Sequence, residues 1–202
     1  MATGQAEMTK YARTFGQDLM RGEHTVGGGK VAQDTGPKTA SSDNFNGSAE
    51  NQEASGTSIF DPVLTELCYR WFCPPGGLIL DPFAGGSVRG IVASVLGYKY
   101  EGFELRAEQV AANRRQAADI CPENSPAWHV GDSAAQIPLW GGQADFLFSC
   151  PPYGDLEVYS DMPDDLSAMS HEDFLVAYRT VIAAAVDKLA PDSFAVFVVG
   201  DY

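Results

Sequence analysis

Hydrophobic and polar positions follow two rhythms along this chain, and each change of rhythm predicts an element. Asp61-Pro62 reads as an N-cap with proline at the first helical position, and Leu64, Leu67, Cys68 and Trp71 then recur at helical spacing. Pro74-Pro75-Gly76-Gly77 stops that helix, and the apolar run Leu78-Ile79-Leu80 predicts a short strand. A helix is expected over 87–96, with Gly97 just past its end, followed by a strand over 98–105 and a helix over 106–119. Trp128-His129-Val130 predicts a third, short strand, and positions 145–149 a fourth. Ser170 caps a long helix expected to run through Leu189, with Glu172 and Asp173 well placed in its first turn. The apolar run at 193–199 predicts a fifth strand.

Strands alternating with helices imply an α/β fold, with a mostly parallel sheet covered by helices on both faces. Ligands of such sheets bind at the carboxyl ends of the strands, and every unusual loop of this sequence falls at such an end. Upstream, Met8, Tyr11, Phe15 and Leu19 suggest a short amphipathic helix within 1–21, weakened by Gly16. Over 22–57 the only large apolar residues are Val26, Val31 and Phe45, so this stretch reads as a disordered linker. The globular core is expected over 58–202. No internal repeat is visible.

Composition narrows the function. The 202 residues are 45% hydrophobic, which suits one globular domain. No apolar run approaches the ~18 residues that span a bilayer, and the N-terminus lacks signal-peptide character, so a cytoplasmic protein without a membrane partner is expected. The four cysteines form no CxxC pair, and the three histidines do not cluster with them, so no metal site is expected. The net charge is −14, and from Ser58 onward 8 Lys and Arg stand against 20 Asp and Glu. Phosphate neutralisation needs the opposite balance.

Three acidic residues follow three successive strands. Asp81 opens the loop Asp81-Pro82-Phe83-Ala84-Gly85-Gly86-Ser87, whose paired glycines permit a close backbone approach to a ligand. The dinucleotide fingerprint G-x-G-x-x-G is absent. Glu104, at the end of the second strand, can accept from both hydroxyls of a ribose. Asp132, in Gly131-Asp132-Ser133, can accept from an adenine amino group or cap a helix. The pattern matches a ligand with an amino-acid part, a ribose and an adenine. After the fourth strand comes Ser149-Cys150-Pro151-Pro152-Tyr153-Gly154, where two prolines fix an extended loop and Tyr153 offers a ring for stacking on a flat base.

The pair Asp-Pro-Phe-Ala-Gly-Gly and Ser-Cys-Pro-Pro-Tyr resembles the DNA methyltransferases that act on adenine N6 or cytosine N4, including phage-type ones. The upstream Thr57-Ser58-Ile59-Phe60-Asp61-Pro62 looks like that family's additional cofactor segment. The resemblance implies a Rossmann-like class I methyltransferase sheet and S-adenosylmethionine as cofactor. It assigns Asp81, Phe83, Ala84, Gly85, Gly86 and Ser87 to the methionine part of the cofactor, with Phe60 and Asp61 flanking it. Glu104 takes the ribose, Asp132 with Ser133 the adenine, and Cys150, Pro151, Pro152 and Tyr153 the target base. Cys150 stands where the family usually has Asp, Asn or Ser. The family sheet has two more strands, so a continuing chain or a protein partner is expected to cover the last strand and to supply the basic surface for DNA. Pro-Pro-Tyr loops also serve methyltransferases of RNA and of protein glutamine, and a non-catalytic cofactor-binding subunit is a further reading. The Pro-Cys order of carbon-5 cytosine methyltransferases is absent.

Overall fold

Asp61 opens the first helix, α1 (Pro62–Phe72). Its carboxylate accepts from the backbone N–H of Val63 at 2.7 Å and of Leu64 at 3.4 Å, and Pro62 occupies the position where no N–H is missed. The computed structural model describes residues 59–153 and 159–199; the helix expected within 1–21 and the linker over 22–57 lie outside the described residues. After α1 come β1 (Leu78–Asp81), α2 (Val88–Val95), β2 (Lys99–Glu104), α3 (Ala107–Ile120) and β3 (Ala127–Val130). They are followed by α4 (Ser133–Leu139), β4 (Ala144–Ser149), α5 (His171–Val186) and β5 (Leu189–Phe197). Single 3-10 turns lie at Pro122–Asn124 and Leu166–Ala168.

The sheet order is β3-β2-β1-β4-β5, and every strand pair is parallel. The period-two alternation of the strands divides the core into two layers. Ile79, Tyr100, Trp128, Phe146 and Phe148 pack on one face with Tyr69 of α1, Ile91 of α2 and Val110 of α3. Leu80, Phe103 and Leu147 pack on the other with Ile137 of α4 and Val181 and Ala185 of α5. Helices therefore cover both faces, as the pattern implied. Among the described residues no helix is long and apolar enough to cross a membrane.

Four local readings change. A short helix, α4, occupies Ser133–Leu139, where the sequence showed none. It is only 7 residues long and carries Pro138, so its periodicity is too brief to register. The long helix stops at Val186 rather than Leu189. The Lys188 carbonyl already accepts from Ala144 N–H at 2.8 Å, so the chain has joined the sheet and Leu189 begins β5. The strand expected over 193–199 thus starts earlier. It is interrupted by a bulge: Leu189 pairs with Ala144 but Phe194 with Phe146, and Asp192 sits at φ 61°. The acidic stretch Asp155, Glu157, Asp161, Asp164 and Asp165, which by charge pattern alone reads as a solvated loop or as part of a lid over the target site, is only partly solvated. Asp165 is buried, accepting from Ser160 Oγ at 2.6 Å and from Ser167 N at 2.9 Å, while Asp161 and Asp164 are exposed. Asp155 and Glu157 lie outside the described residues.

Gly90 sets how closely α2 lies on the sheet. A Cβ there would meet Trp128 Cζ2 at 2.6 Å and Tyr100 Cε1 and Pro126 Cβ at 3.1 Å. Trp128 is buried and fully hemmed in, so Gly90→Ala overpacks this layer by about 1–3 kcal/mol, against a helix-propensity gain of ~1 kcal/mol. The expected outcome is a lower denaturation midpoint with an unchanged slope; a midpoint at or above the parent's would show that the Trp128 ring shifts freely.

Candidate active site

The strand order reverses between β1 and β4, and the two loops singled out from the sequence leave the sheet at that point. Asp81 ends β1 and Ser149 ends β4, and both are buried. Ser149 Oγ donates to Asp81 Oδ1 at 2.5 Å, and Phe83 N–H reaches both Asp81 Oδ1 and Ser149 Oγ at 3.2 Å. On the other oxygen, Asp81 Oδ2 accepts from Arg89 Nε at 2.6 Å and from the Tyr100 hydroxyl at 2.7 Å. Arg89 Nη2 donates in turn to the carbonyls of Phe83 at 2.6 Å and Ala84 at 3.0 Å. Burial works against the Arg89 charge, but the adjacent Asp81 carboxylate outweighs it and holds the guanidinium's pKa above its usual value. The Phe60 ring lies over this guanidinium at 4.7 Å and meets Phe148 edge-on at 5.7 Å. Phe60 is thereby held next to the β1 loop, whereas Asp61 is exposed and engaged in capping α1.

Within the loop, Gly85 adopts φ +51°, a left-handed conformation suited to glycine. Its N–H donates to Glu104 Oε2 at 3.0 Å, and its carbonyl accepts from Asn113 Nδ2 at 2.8 Å. Among the described residues, a Cβ built on Gly85 or Gly86 would meet nothing within 4 Å, so they leave the outer side of this turn open. Ala84 is buried, with its N–H on the Phe103 carbonyl at 2.9 Å. Ser87 is buried too, and its hydroxyl donates to Gln116 on α3.

Glu104 Oε1 accepts from the N–H of Arg106 at 3.0 Å and from its Nε at 3.4 Å. Burial nevertheless wins, and the Glu104 carboxyl has its pKa pushed up against the pull of Arg106 and the Gly85 amide. Asp132 is half-buried and caps α4, accepting from Ala134 N–H at 3.0 Å. Buried Ser133 donates to the Pro82 carbonyl at 2.6 Å, tying the end of β3 to the β1 loop.

In the β4 loop, Pro151 is buried and Cys150, Pro152 and Tyr153 are half-buried. The Cys150 sulfur lies 3.6 Å from the Tyr153 hydroxyl. Strand-end residues far apart in sequence are thus gathered along one edge of the sheet. The sequence reading did not single out Arg89, Tyr100 or Ser149. A signal for Arg89 existed: it is a lone charge in the apolar run Val88-Arg89-Gly90-Ile91-Val92, directly after the glycine loop.

Solved structures share this architecture. TrmN from Thermus thermophilus matches with a TM-score of 0.53 at 20% identity, over 67% of this chain and 37% of that one. The fold is that of the class I methyltransferases. TehB from Haemophilus influenzae matches with a TM-score of 0.50 at 12% identity, over 70% of this chain and 41% of that one. The glycopeptide N-methyltransferase MtfA complexed with sinefungin matches with a TM-score of 0.50 at 15% identity, over 75% and 59%. The chain thus spans less than two thirds of each. No family model and no curated protein matches it.

Two outcomes are expected from this geometry. Arg89→Met leaves the buried Asp81 carboxylate without its counter-charge and should cost about 3–5 kcal/mol in a urea melt; parent-like stability would mean that Asp81 is rescued otherwise. Glu104 holds its proton more tightly folded than unfolded, so its contribution to stability falls as pH rises from the ordinary carboxyl range through its raised folded value. Glu104→Gln removes that slope. Melts across this range should show the variant gaining on the parent as pH rises, and parallel curves would refute the assignment.

Proposed function

We propose that this chain binds S-adenosylmethionine and transfers its methyl group to the exocyclic amino group of a nucleic-acid base, with adenine N6 or cytosine N4 of DNA as target. One observation carries the reading. The acids Asp81, Glu104 and Asp132 stand at the carboxyl ends of three adjacent strands around an open Gly85-Gly86 turn, and the Cys150-Pro151-Pro152-Tyr153 loop leaves β4 beside them. The residues present fit the cofactor. The open glycine turn leaves room for its close approach, and the half-buried Glu104 carboxyl faces that turn: Oε1 is taken by Arg106, while Oε2, bonded to the Gly85 N–H, keeps one acceptor position for a ribose hydroxyl. MtfA, which shares the fold, was solved with sinefungin, an analogue of S-adenosylmethionine.

The roles divide as follows. Glu104 holds the ribose, and Asp132 with Ser133 borders the adenine. Because all four acceptor positions of Asp81 are filled from within, its work is to brace Phe83 to Ser87, and the backbone of Gly85 and Gly86 meets the methionine part with Phe60 and Asp61 at its flank. S-adenosylmethionine supplies a methyl group on a sulfonium sulfur. Tyr153 stacks on the base. The Pro151 carbonyl and the Cys150 sulfur accept hydrogen bonds from the amine and stabilise the positive charge its nitrogen gains as the nitrogen–carbon bond forms; the amine proton then passes to solvent. Cys150 works as a spacer and weak acceptor rather than as a nucleophile, since the following segment is acidic and no Lys or Arg follows it before Arg179. A base within a duplex must first flip out.

The charge of −14 has two consequences. The Lys and Arg that grip phosphate come from a partner or from further chain. It also favours a second reading in which the same site serves a protein glutamine amide, which carries no phosphate; an RNA base, which the Pro-Pro-Tyr loop equally suits, needs the same basic surface as DNA.

Transfer of labelled methyl to DNA, RNA and protein, with nucleoside mass spectrometry of the product, tests this. Transfer to a base amine is expected. Tyr153→Ala should lower it roughly 5- to 150-fold, the equivalent of about 1–3 kcal/mol of stacking, and Pro152→Ala should lower it less. Cys150→Ser should match or exceed the parent. Loss of activity in Cys150→Ser, with a trapped protein–base adduct in the parent, would overturn this mechanism; cofactor binding without transfer to any acceptor would make the chain a binding subunit.

A further inference from the structure

α5 begins close to the catalytic edge. The chain leaves β4 at its carboxyl end and returns through α5 to the start of the parallel strand β5, so the first turns of α5 stand beside the loops that follow β1 and β4. Phe174 and Tyr178 lie four residues apart on one side of this helix, with ring centroids 5.5 Å apart and planes within 19°. Tyr178 continues onto Phe83 of the β1 loop, at 6.1 Å and 13°. The result is a row of three near-parallel rings running from the helix to the glycine loop.

All three rings are half-buried. Packing of α5 on the sheet is carried one and two turns further on by Val181 and Ala185, both fully buried. The fold itself therefore does not require an aromatic ring at 178. Cys150 of the second loop also acts electrostatically on the Tyr178 hydroxyl. Burial, and after it the nearby Cys150, push its pKa up. The Cys150 sulfur in turn lies 3.6 Å from the Tyr153 hydroxyl. Tyr153 thus touches the residue directly before Pro151-Pro152, and Tyr178 lies within electrostatic reach of it.

We infer that Tyr178, held parallel to Phe83 and Phe174, is a specificity residue of the acceptor site and selects a planar aromatic acceptor, a nucleobase, over an aliphatic amide. The inference rests on the methyl-transfer reading above and deepens it. Offset parallel rings present a further flat face, and stacking one base on such a face is worth about 1–3 kcal/mol, a gain that a narrow side-chain amide does not match.

The full chain is tested with single-stranded DNA and RNA oligonucleotides carrying one 2-aminopurine, and with a glutamine-containing peptide. Binding is read with and without sinefungin, and sinefungin affinity is measured separately by calorimetry. Tyr178→Leu should weaken binding of the base probe by at least fivefold and leave sinefungin affinity within twofold. Tyr178→Phe should lose less, because it keeps the ring. Phe174→Leu, one step further along the row, should fall between the parent and Tyr178→Leu, and it gives the answer if the latter fails to fold. Unchanged base binding in both leucine variants overturns the inference. So does an equal loss of sinefungin affinity, which would mean that Tyr178 acts only through Phe83 on the cofactor loop, and so does a parent that prefers the peptide. A parent that binds no sinefungin refutes the cofactor reading instead, and its base binding still decides the role of Tyr178.

Discussion

The site depends on a single buried ion pair, Arg89 with Asp81. Both partners are almost completely removed from water, which is costly for charges unless each is fully engaged. Here each is. Asp81 receives two donors on each oxygen, and Arg89 spends its remaining reach on two loop carbonyls and the face of Phe60. A pair of this kind contributes little net stability compared with an apolar packing of the same volume, but it dictates position, because the planar fork of the guanidinium accepts only one arrangement of its neighbours. It fixes the β1 loop, the end of β4, the start of α2 and the Phe60 segment relative to one another.

From that fixed frame the open surface follows. With Phe83 and Ala84 held by their carbonyls, the chain must turn sharply before α2. Gly85 makes the turn at positive φ and directs its N–H to Glu104. Glu104 is thereby kept at the loop although burial disfavours its charge. Ser133 adds a third tie through the Pro82 carbonyl, so the ends of β1, β2 and β3 are bound to one another. The proposed methyl transfer needs such rigidity: it demands alignment of two reacting centres to within about 0.5 Å, and alignment is supplied by supporting contacts rather than by the groups that touch the ligand.

The two loops differ in how they are held. The β1 loop is braced by charge and by backbone hydrogen bonds. The β4 loop is stiffened by covalent geometry at Pro151 and Pro152, with the Tyr153 hydroxyl 3.6 Å from the Cys150 sulfur. This division suits the proposed pairing of a charged cofactor on one side with a flat, uncharged acceptor on the other.

The sequence alone determined the alternation of strands and helices, the Asp61 cap, both chemical loops and the acids at the strand ends, because these depend on local propensity and on contacts within a few residues. It misread the end of α5, since helical periodicity extends to Leu189 while the Lys188 backbone is captured by β4, a contact invisible in the local pattern. It missed α4 for lack of length, and it read buried Asp165 as solvated because charge pattern carries no information on burial. Only the tertiary structure decided the partners of Asp81. Arg89 lies 8 residues away in sequence, Tyr100 19 and Ser149 68, and a parallel sheet with crossover helices is what brings the three to one carboxylate. The row Phe83, Tyr178, Phe174 arises in the same way: each ring alone is an ordinary apolar residue of its element, and its stacking exists only because α5 must return beside the carboxyl end of β1 to let β5 pair in parallel.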